Sequence, residues 1–141
     1  MISTGDGGRE LLLDGVPIDS KSWTFRAWAE LARGDVLEVG LGWGINTRRL
    51  IERLLAREIL SLTLIETSDE ILEHGREIVR DLVATPGGAL VRGTFRALVE
   101  SGSLARDWDT ILLDYPGGRA DLDVAAWIAG DGAIIGIRGK A

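Results

Sequence analysis

The 141-residue chain has no cysteine, which excludes disulfides, thiolate nucleophiles and cysteine-ligated zinc. It has one histidine, His74, too few for a histidine metal cluster, so no metal site is expected. No apolar run approaches the roughly 20 residues that span a bilayer, and no membrane contact is expected. The amino end, residues 1–9, is polar and glycine-rich and lacks the basic-then-apolar layout of a secretory signal. A cytoplasmic location is therefore expected. Basic residues are too few for a stripe: 16 Lys and Arg stand against 22 Asp and Glu, a net charge of −6. That balance opposes displacement of phosphate counterions, so no nucleic-acid partner is expected. Small-molecule or protein substrates are left.

What is present is the composition of an ordinary globular domain, 45% apolar and 27% charged, at a length that suits one domain. Strands alternate with helices, the pattern of a parallel sheet covered on both faces. Residues 10–18 place Asp14-Gly15, a preferred two-residue hairpin turn, between Leu11-Leu12-Leu13 and Val16-Pro17-Ile18. Pro17 confines that arm to an edge. Residues 22–33 then carry Trp23, Ala27, Trp28, Leu31 and Ala32 at helical spacing and stop at Gly34. Core strands are predicted at 35–39, 60–66, 89–92, 110–114 and 133–137. Between them lie a helix at about 46–58, one from the Thr67-Ser68-Asp69-Glu70 capping segment to Pro86-Gly87-Gly88, and shorter ones at 95–101 and 122–129. Leu50, Ile51, Leu54 and Leu55 form the buried stripe of the first, and Ile71, Leu72, Ile78, Val79, Leu82 and Val83 that of the second. Residues 1–34 thus read as a hairpin and helix ahead of an α/β unit over 35–141, in a single compact domain.

The chemistry gathers in the loop after the first core strand. An open parallel sheet binds nucleotides there, because backbone amides and a helix amino end converge. Spacing narrows the ligand. The dinucleotide fingerprint G-x-G-x-x-G needs glycine at position 45, where Ile45 stands, and Ile45-Asn46-Thr47 replaces the Lys-Ser/Thr pair of a P-loop. Nicotinamide cofactors and nucleoside triphosphates are disfavoured. Gly40, Gly42 and Gly44 instead let the main chain approach a ligand without pyrophosphate, such as the methionyl and ribosyl part of S-adenosylmethionine, unless the loop is a purely structural turn. Glu38 either orients the loop or accepts from a ligand ammonium. Glu66 closes the second strand where an acidic residue receives the ribose hydroxyls in Rossmann-like sites.

The run Val36-Leu37-Glu38-Val39-Gly40-Leu41-Gly42-Trp43-Gly44 resembles motif I of class I S-adenosylmethionine-dependent methyltransferases. Leu64-Ile65-Glu66-Thr67-Ser68-Asp69 and Trp108-Asp109-Thr110-Ile111-Leu112-Leu113-Asp114-Tyr115-Pro116 are similar to the I-E-x-N-D and F-D-x-I-x-x-D-x-Y-P runs of the guanidinoacetate and arginine N-methyltransferase branch. Here Tyr115 follows Asp114 directly, one residue short of that pattern. Leu12-Leu13-Asp14-Gly15 is similar to the amino-terminal hairpin of spermidine synthases. However, Ile18 and Trp23-Thr24-Phe25-Arg26 replace their glutamine and Y-H-E run, and Trp43 stands where they favour aspartate. Aminopropyl transfer is therefore the lesser alternative.

The resemblance covers about 35–117 and implies a truncated Rossmann-like three-layer α/β sandwich. Its mostly parallel sheet would have about five strands in the order 3-2-1-4-5, with the hairpin and helix ahead of it. The resemblance implies S-adenosylmethionine as cofactor, held by Glu38, Gly40, Gly42, Gly44, Glu66, Thr67, Thr94, Phe95 and Asp114. It also implies in-line methyl transfer to a small guanidino or amino compound, with Asp114 and Tyr115 in the catalytic positions. Other readings stay open: Phe95 as core, Asp114 as a loop cap, Tyr115 as a ring packed on Pro116, and Trp43 as a lid or as an indole shielding the sheet edge. Members of the superfamily continue past strand five, so 133–137 is expected to be an apolar edge that needs cover. The amino-terminal hairpin, a second copy in a homo-oligomer, or a partner subunit would supply it. A non-catalytic cofactor-binding or scaffolding subunit is the alternative function.

Overall fold

The computed structural model describes residues 9–13, 16–17 and 25–138. The Asp14-Gly15 turn, Ile18, Trp23 and the first residues of the helix expected from Ser22 lie outside them. In chain order the elements are β1 (Arg9–Leu13), β2 (Val16–Pro17), α1 (Phe25–Leu31), β3 (Asp35–Val39), α2 (Ile45–Leu55), β4 (Ser61–Glu66), α3 (Asp69–His74), α4 (Arg76–Ala84), β5 (Gly88–Arg92), α5 (Phe95–Glu100), β6 (Trp108–Leu113), a 3-10 turn (Gly118–Asp121), α6 (Leu122–Ile128) and β7 (Ala129–Arg138).

One sheet runs β2-β1-β7-β6-β3-β4-β5. The five strands from β7 to β5 pair in parallel and have the 3-2-1-4-5 order. β1 lies antiparallel along β7, from Arg9 opposite Arg138 to Leu13 opposite Ile134. The hairpin therefore takes the edge that a second copy or partner would otherwise have to cover. Pro17, which donates no ladder hydrogen bond, sits on the outermost strand β2.

Alternating side chains of the parallel strands feed two cores. Val36, Leu62, Leu64, Leu112 and Ile134 meet Trp28 of α1, Leu50, Ile51 and Leu54 of α2, and Ile78 and Leu82 of α4. On the other face Leu37, Ile65, Ile111, Leu113, Ile135 and Ile137 meet Phe95 of α5 and Val124, Ala125 and Ile128 of α6. The helical stripes are narrower than their periodicity implies. Leu55, on the last residue of α2, is 64% exposed, and Val83, a hundred-degree step past Leu82, is 54% exposed. The helix expected after Thr67 is two helices, broken at Gly75, where an added Cβ would come within 2.5 Å of Leu41 Cδ2 in the glycine loop. Arg53 of α2 donates to the carbonyls of Ala29 and Ala32, so the open end of α1 is capped from its neighbour. Among the described residues no helix is long and apolar enough to cross a membrane.

Candidate functional site

β3 pairs with β4 on one side and β6 on the other, so the connections leaving the carboxyl ends of these strands diverge and leave a crevice between them. Two hydrogen bonds carry the ladders past the strand ends: Gly40 N–H donates to Ile65 O at 2.9 Å, and Asp114 N–H to Val39 O at 2.8 Å. Gly40, at φ 95°, lies so close to β6 that a Cβ there would be 2.5 Å from Asp114 O. Gly44, at φ 77°, has no room beside Ile78. Gly42, at φ 53°, faces open space. The loop is thus pinned at both ends and open in the middle.

Glu66 does the pinning on the β4 side. Its Oε1 accepts from Leu41 N–H at 2.9 Å, and its Oε2 accepts from Thr67 and Ser68 N–H at 2.9 and 3.0 Å. A carboxylate has about four lone-pair sites, so one acceptor position is left. Glu66 nonetheless borders the crevice, where a diol would share it with these amides. Ser68 then caps α3 by accepting from Ile71 N–H at 3.2 Å.

Glu38 lies beneath the loop instead of in the crevice. It is fully buried; Oε1 accepts from Thr47 Oγ1 at 2.6 Å, and Oε2 has no partner. Neighbouring Asn46 is buried with both amide atoms unpartnered. Burial pushes the Glu38 carboxyl up to about 8; the Thr47 hydroxyl works against that rise and the Asp114 charge adds to it. These unpartnered polar atoms are buried and belong to no part of the crevice lining, so they are a cost carried beneath the loop and not a contact for a ligand above it.

The crevice, about 420 Å³, has two ends. Glu66, Thr67, Gly93, Thr94 and Phe95 line the end over β4 and β5, and Asp114, Tyr115, Pro116, Asp121 and Arg138 line the end over β6 and β7. Phe95 serves both of its expected roles, since it is 3% exposed in the core and also forms crevice wall. Of the residues expected from the sequence to hold a cofactor, Gly40, Gly42, Glu66, Thr67, Thr94, Phe95 and Asp114 share this one crevice, whereas Glu38 and Gly44 support it from below. Tyr115 also lines the crevice, and its hydroxyl donates to Asp121 Oδ2 at 2.5 Å. Burial, and then the bond to Asp121, push its pKa far above the usual phenol range, so it keeps its proton. Trp43 shields no sheet edge, being 92% exposed at the loop tip.

Three crevice residues were not expected. Arg96 joins Asp121 Oδ1 at 2.9 Å and Asp123 Oδ1 at 3.1 Å, and with Tyr115 it ties α5 to the segment after β6. Arg138, the last residue of β7, places its guanidinium 3.9 Å from Asp114 Oδ1. Asp114 is itself only 8% exposed. Arg138 could have been found in the sequence, because a charge at the carboxyl end of a core strand points at the crevice; Arg96 and Asp121 carry no such signal. Among the described residues no group of three or more His, Asp or Glu side chains is placed to hold a metal ion.

No family model and no curated protein sequence matches the chain. Among solved structures it is similar to the methyltransferase PaMTH1 of Podospora anserina in its S-adenosylhomocysteine-bound form, with 19% identity and a TM-score of 0.58 over 79% of this chain and 47% of that one. It is also similar to the O-methyltransferase of Bacillus cereus in complex with S-adenosylhomocysteine, with 16% identity and a TM-score of 0.56 over 74% of this chain and 50% of that one. The chain therefore has the Rossmann-like fold of these methyltransferases and spans about half of their length.

Proposed function

We propose that the chain binds S-adenosylmethionine and is the cofactor-holding core of a methyltransferase. The observation that carries this reading is the Glu66 brace: one strand-end carboxylate holds Leu41 of the glycine loop and borders the crevice while Gly42 stays open. The residues fit the cofactor. A volume of about 420 Å³ falls in the range of small-molecule sites, roughly 300–1,000 Å³. Gly40 and Gly42 would carry the methionyl part, Glu66 with its remaining acceptor site a ribose hydroxyl, and Thr67, Thr94 and Phe95 the base. When bound, the cofactor supplies a methyl group already activated on a sulfonium. What is left to the protein is alignment of the acceptor lone pair and exclusion of water.

Asp114 is the group of this chain placed to orient an acceptor. The finer reading, a small amino or guanidino acceptor, rests on that carboxylate and on the short runs shared with the guanidino branch. Asp114 already has Arg138 beside it, so a cationic acceptor must displace that guanidinium or bring an anion for it. A second copy or a partner subunit is proposed to complete the acceptor wall, where exposed Pro116 and partly exposed Arg138 leave that end of the crevice facing solvent.

Calorimetric titration with S-adenosylhomocysteine, with NADH as control, tests the cofactor. Binding of the first alone is expected, and binding of neither or of NADH would refute the reading. Asp114→Ala is expected to abolish turnover with cofactor binding retained. An unchanged rate would favour a scaffolding subunit, and methylthioadenosine as the released product would favour aminopropyl transfer.

A further inference from the structure

The acceptor end of the crevice contains two guanidinium groups in very different states. Arg96 is consumed: Nε and Nη2 serve Asp121, Nη2 also serves Asp123 and the Ala120 carbonyl, and Nη1 lies 3.8 Å from Glu100. Arg138 makes no hydrogen bond through its guanidinium among the described residues. Its ion pair there is the 3.9 Å contact with Asp114 Oδ1, longer than a hydrogen bond, and its side chain is 36% exposed where it lines the crevice. A guanidinium offers five N–H donors in a planar fork that matches a carboxylate, and here that fork is held at the crevice by a loose contact.

Resting on the methyltransferase reading above, we infer that Arg138 is the anion receptor of the acceptor site and that the methyl acceptor carries a carboxylate which takes both prongs of this fork. The placement separates this anion from the carboxylate of the cofactor itself. The glycine loop follows β3, whereas Arg138 ends β7, with β6 between them. Strands lie about 4.8 Å apart, so the backbone of Arg138 is about 10 Å from that loop, beyond Asp114 and on the far side from Glu66. Asp114 is satisfied in either state: it has Arg138 before the acceptor arrives and keeps the same guanidinium on its flank afterwards. A bare cation as acceptor would meet Arg138 as a like charge.

Benzoate and benzamidinium are planar probes of similar shape and opposite charge, and the test is their binding to the protein saturated with S-adenosylhomocysteine. The wild-type protein is expected to bind benzoate at least about tenfold more tightly than benzamidinium, the order of a bidentate charge-assisted contact. R138Q is expected to lose that preference and R138E to reverse it, each with an unchanged circular dichroism spectrum and with S-adenosylhomocysteine affinity within a few-fold of wild type. Three results overturn the inference: no benzoate preference in the wild-type protein, a preference that survives R138Q, or a loss in R138Q confined to S-adenosylhomocysteine, which would assign the fork to the cofactor's carboxylate. Failure of S-adenosylhomocysteine to bind the wild-type protein at all would instead refute the cofactor reading.

Discussion

Glu38 and Glu66 stand on neighbouring parallel strands, both all but removed from water at 0% and 6% exposure, and they are used in opposite ways. Glu66 meets three backbone N–H donors; Glu38 meets one hydroxyl and leaves an oxygen unpartnered. Both side chains lie on the face that packs against α2 and α4, Glu38 two residues beyond Val36 and Glu66 two beyond Leu64. The difference is one of height: Glu38 pairs with Leu64, so Glu66 stands two residues nearer the carboxyl edge of the sheet. Glu66 reaches the loops that turn away from β4, where backbone donors are free to converge. Glu38, lower on its strand, meets the Thr47 hydroxyl from the first turn of α2 and no backbone amide among the described residues. Burial alone therefore does not decide what a strand-end carboxylate does; the donors around it do.

Removing the better-connected carboxylate should cost most. Glu66→Ala orphans the Leu41 amide in a buried position and frees those of Thr67 and Ser68. The expected loss is about 2–3 kcal/mol of stability and on the order of a hundredfold in S-adenosylhomocysteine affinity, read from urea unfolding and calorimetry. Affinity within a few-fold of wild type would show that Glu66 braces the loop without touching ligand.

The poorly connected carboxylate should show itself in pH dependence. Folded Glu38 keeps its proton up to about pH 8, whereas in the unfolded chain the ordinary value is 4.5. Between those limits the native state binds more protons, so this group's contribution to stability falls as pH rises, by at most about 1.4 kcal/mol per pH unit. Glu38→Gln keeps the shape and the acceptor for Thr47 but does not titrate. Relative to the wild-type protein, the variant is expected to gain on the order of a few kcal/mol between pH 5 and pH 8. Parallel stability curves for the two proteins would show that Glu38 is ionised throughout.

The loop between the two carboxylates sharpens the contrast at smaller scale. Gly40→Ala drives a Cβ toward Asp114 O, a backbone atom, in a left-handed conformation, and is expected to cost about 3 kcal/mol. Gly42→Ala meets only the strain of its positive φ, since nothing lies within 4 Å, and is expected to cost about 1 kcal/mol. Equal midpoints in urea for the two variants would mean that the loop is not pinned at Gly40.

How legible this was in the sequence depended on whether a feature is local. β3 was predicted residue for residue, because Gly34 and Gly40 bound an apolar run with no alternative period. Alternating elements implied a parallel sheet, the family resemblance its 3-2-1-4-5 order, and Asp-Gly with Pro17 the hairpin. The helix break at Gly75 was not legible, since a lone glycine in a helical run is tolerated; the break reflects packing against Leu41. Glu66 was legible as a residue type at a strand end, but its use as a brace depends on amide directions that only the folded loop defines. The expected order already placed β7 beside β6; Arg138 was missed because strand five was expected to end at Ile137, whereas β7 runs one residue further and brings Arg138 beside Asp114.

Tyr115 gives the smallest effect and the sharpest test of which crevice residues are scaffold. Its hydroxyl is committed to Asp121, whose other oxygen holds Arg96. Tyr115→Phe removes one of these links and leaves the ring in the core margin, so about 1 kcal/mol or less of stability is expected to go. Arg96 still holds Asp121, and the segment after β6 keeps its place. If Tyr115 is scaffold, S-adenosylhomocysteine affinity stays within about twofold of wild type, since no bidentate or buried charge contact is lost. A loss of tenfold or more, with stability unchanged, would show that the hydroxyl leaves Asp121 for the ligand and would return Tyr115 to the catalytic position that its sequence neighbours imply.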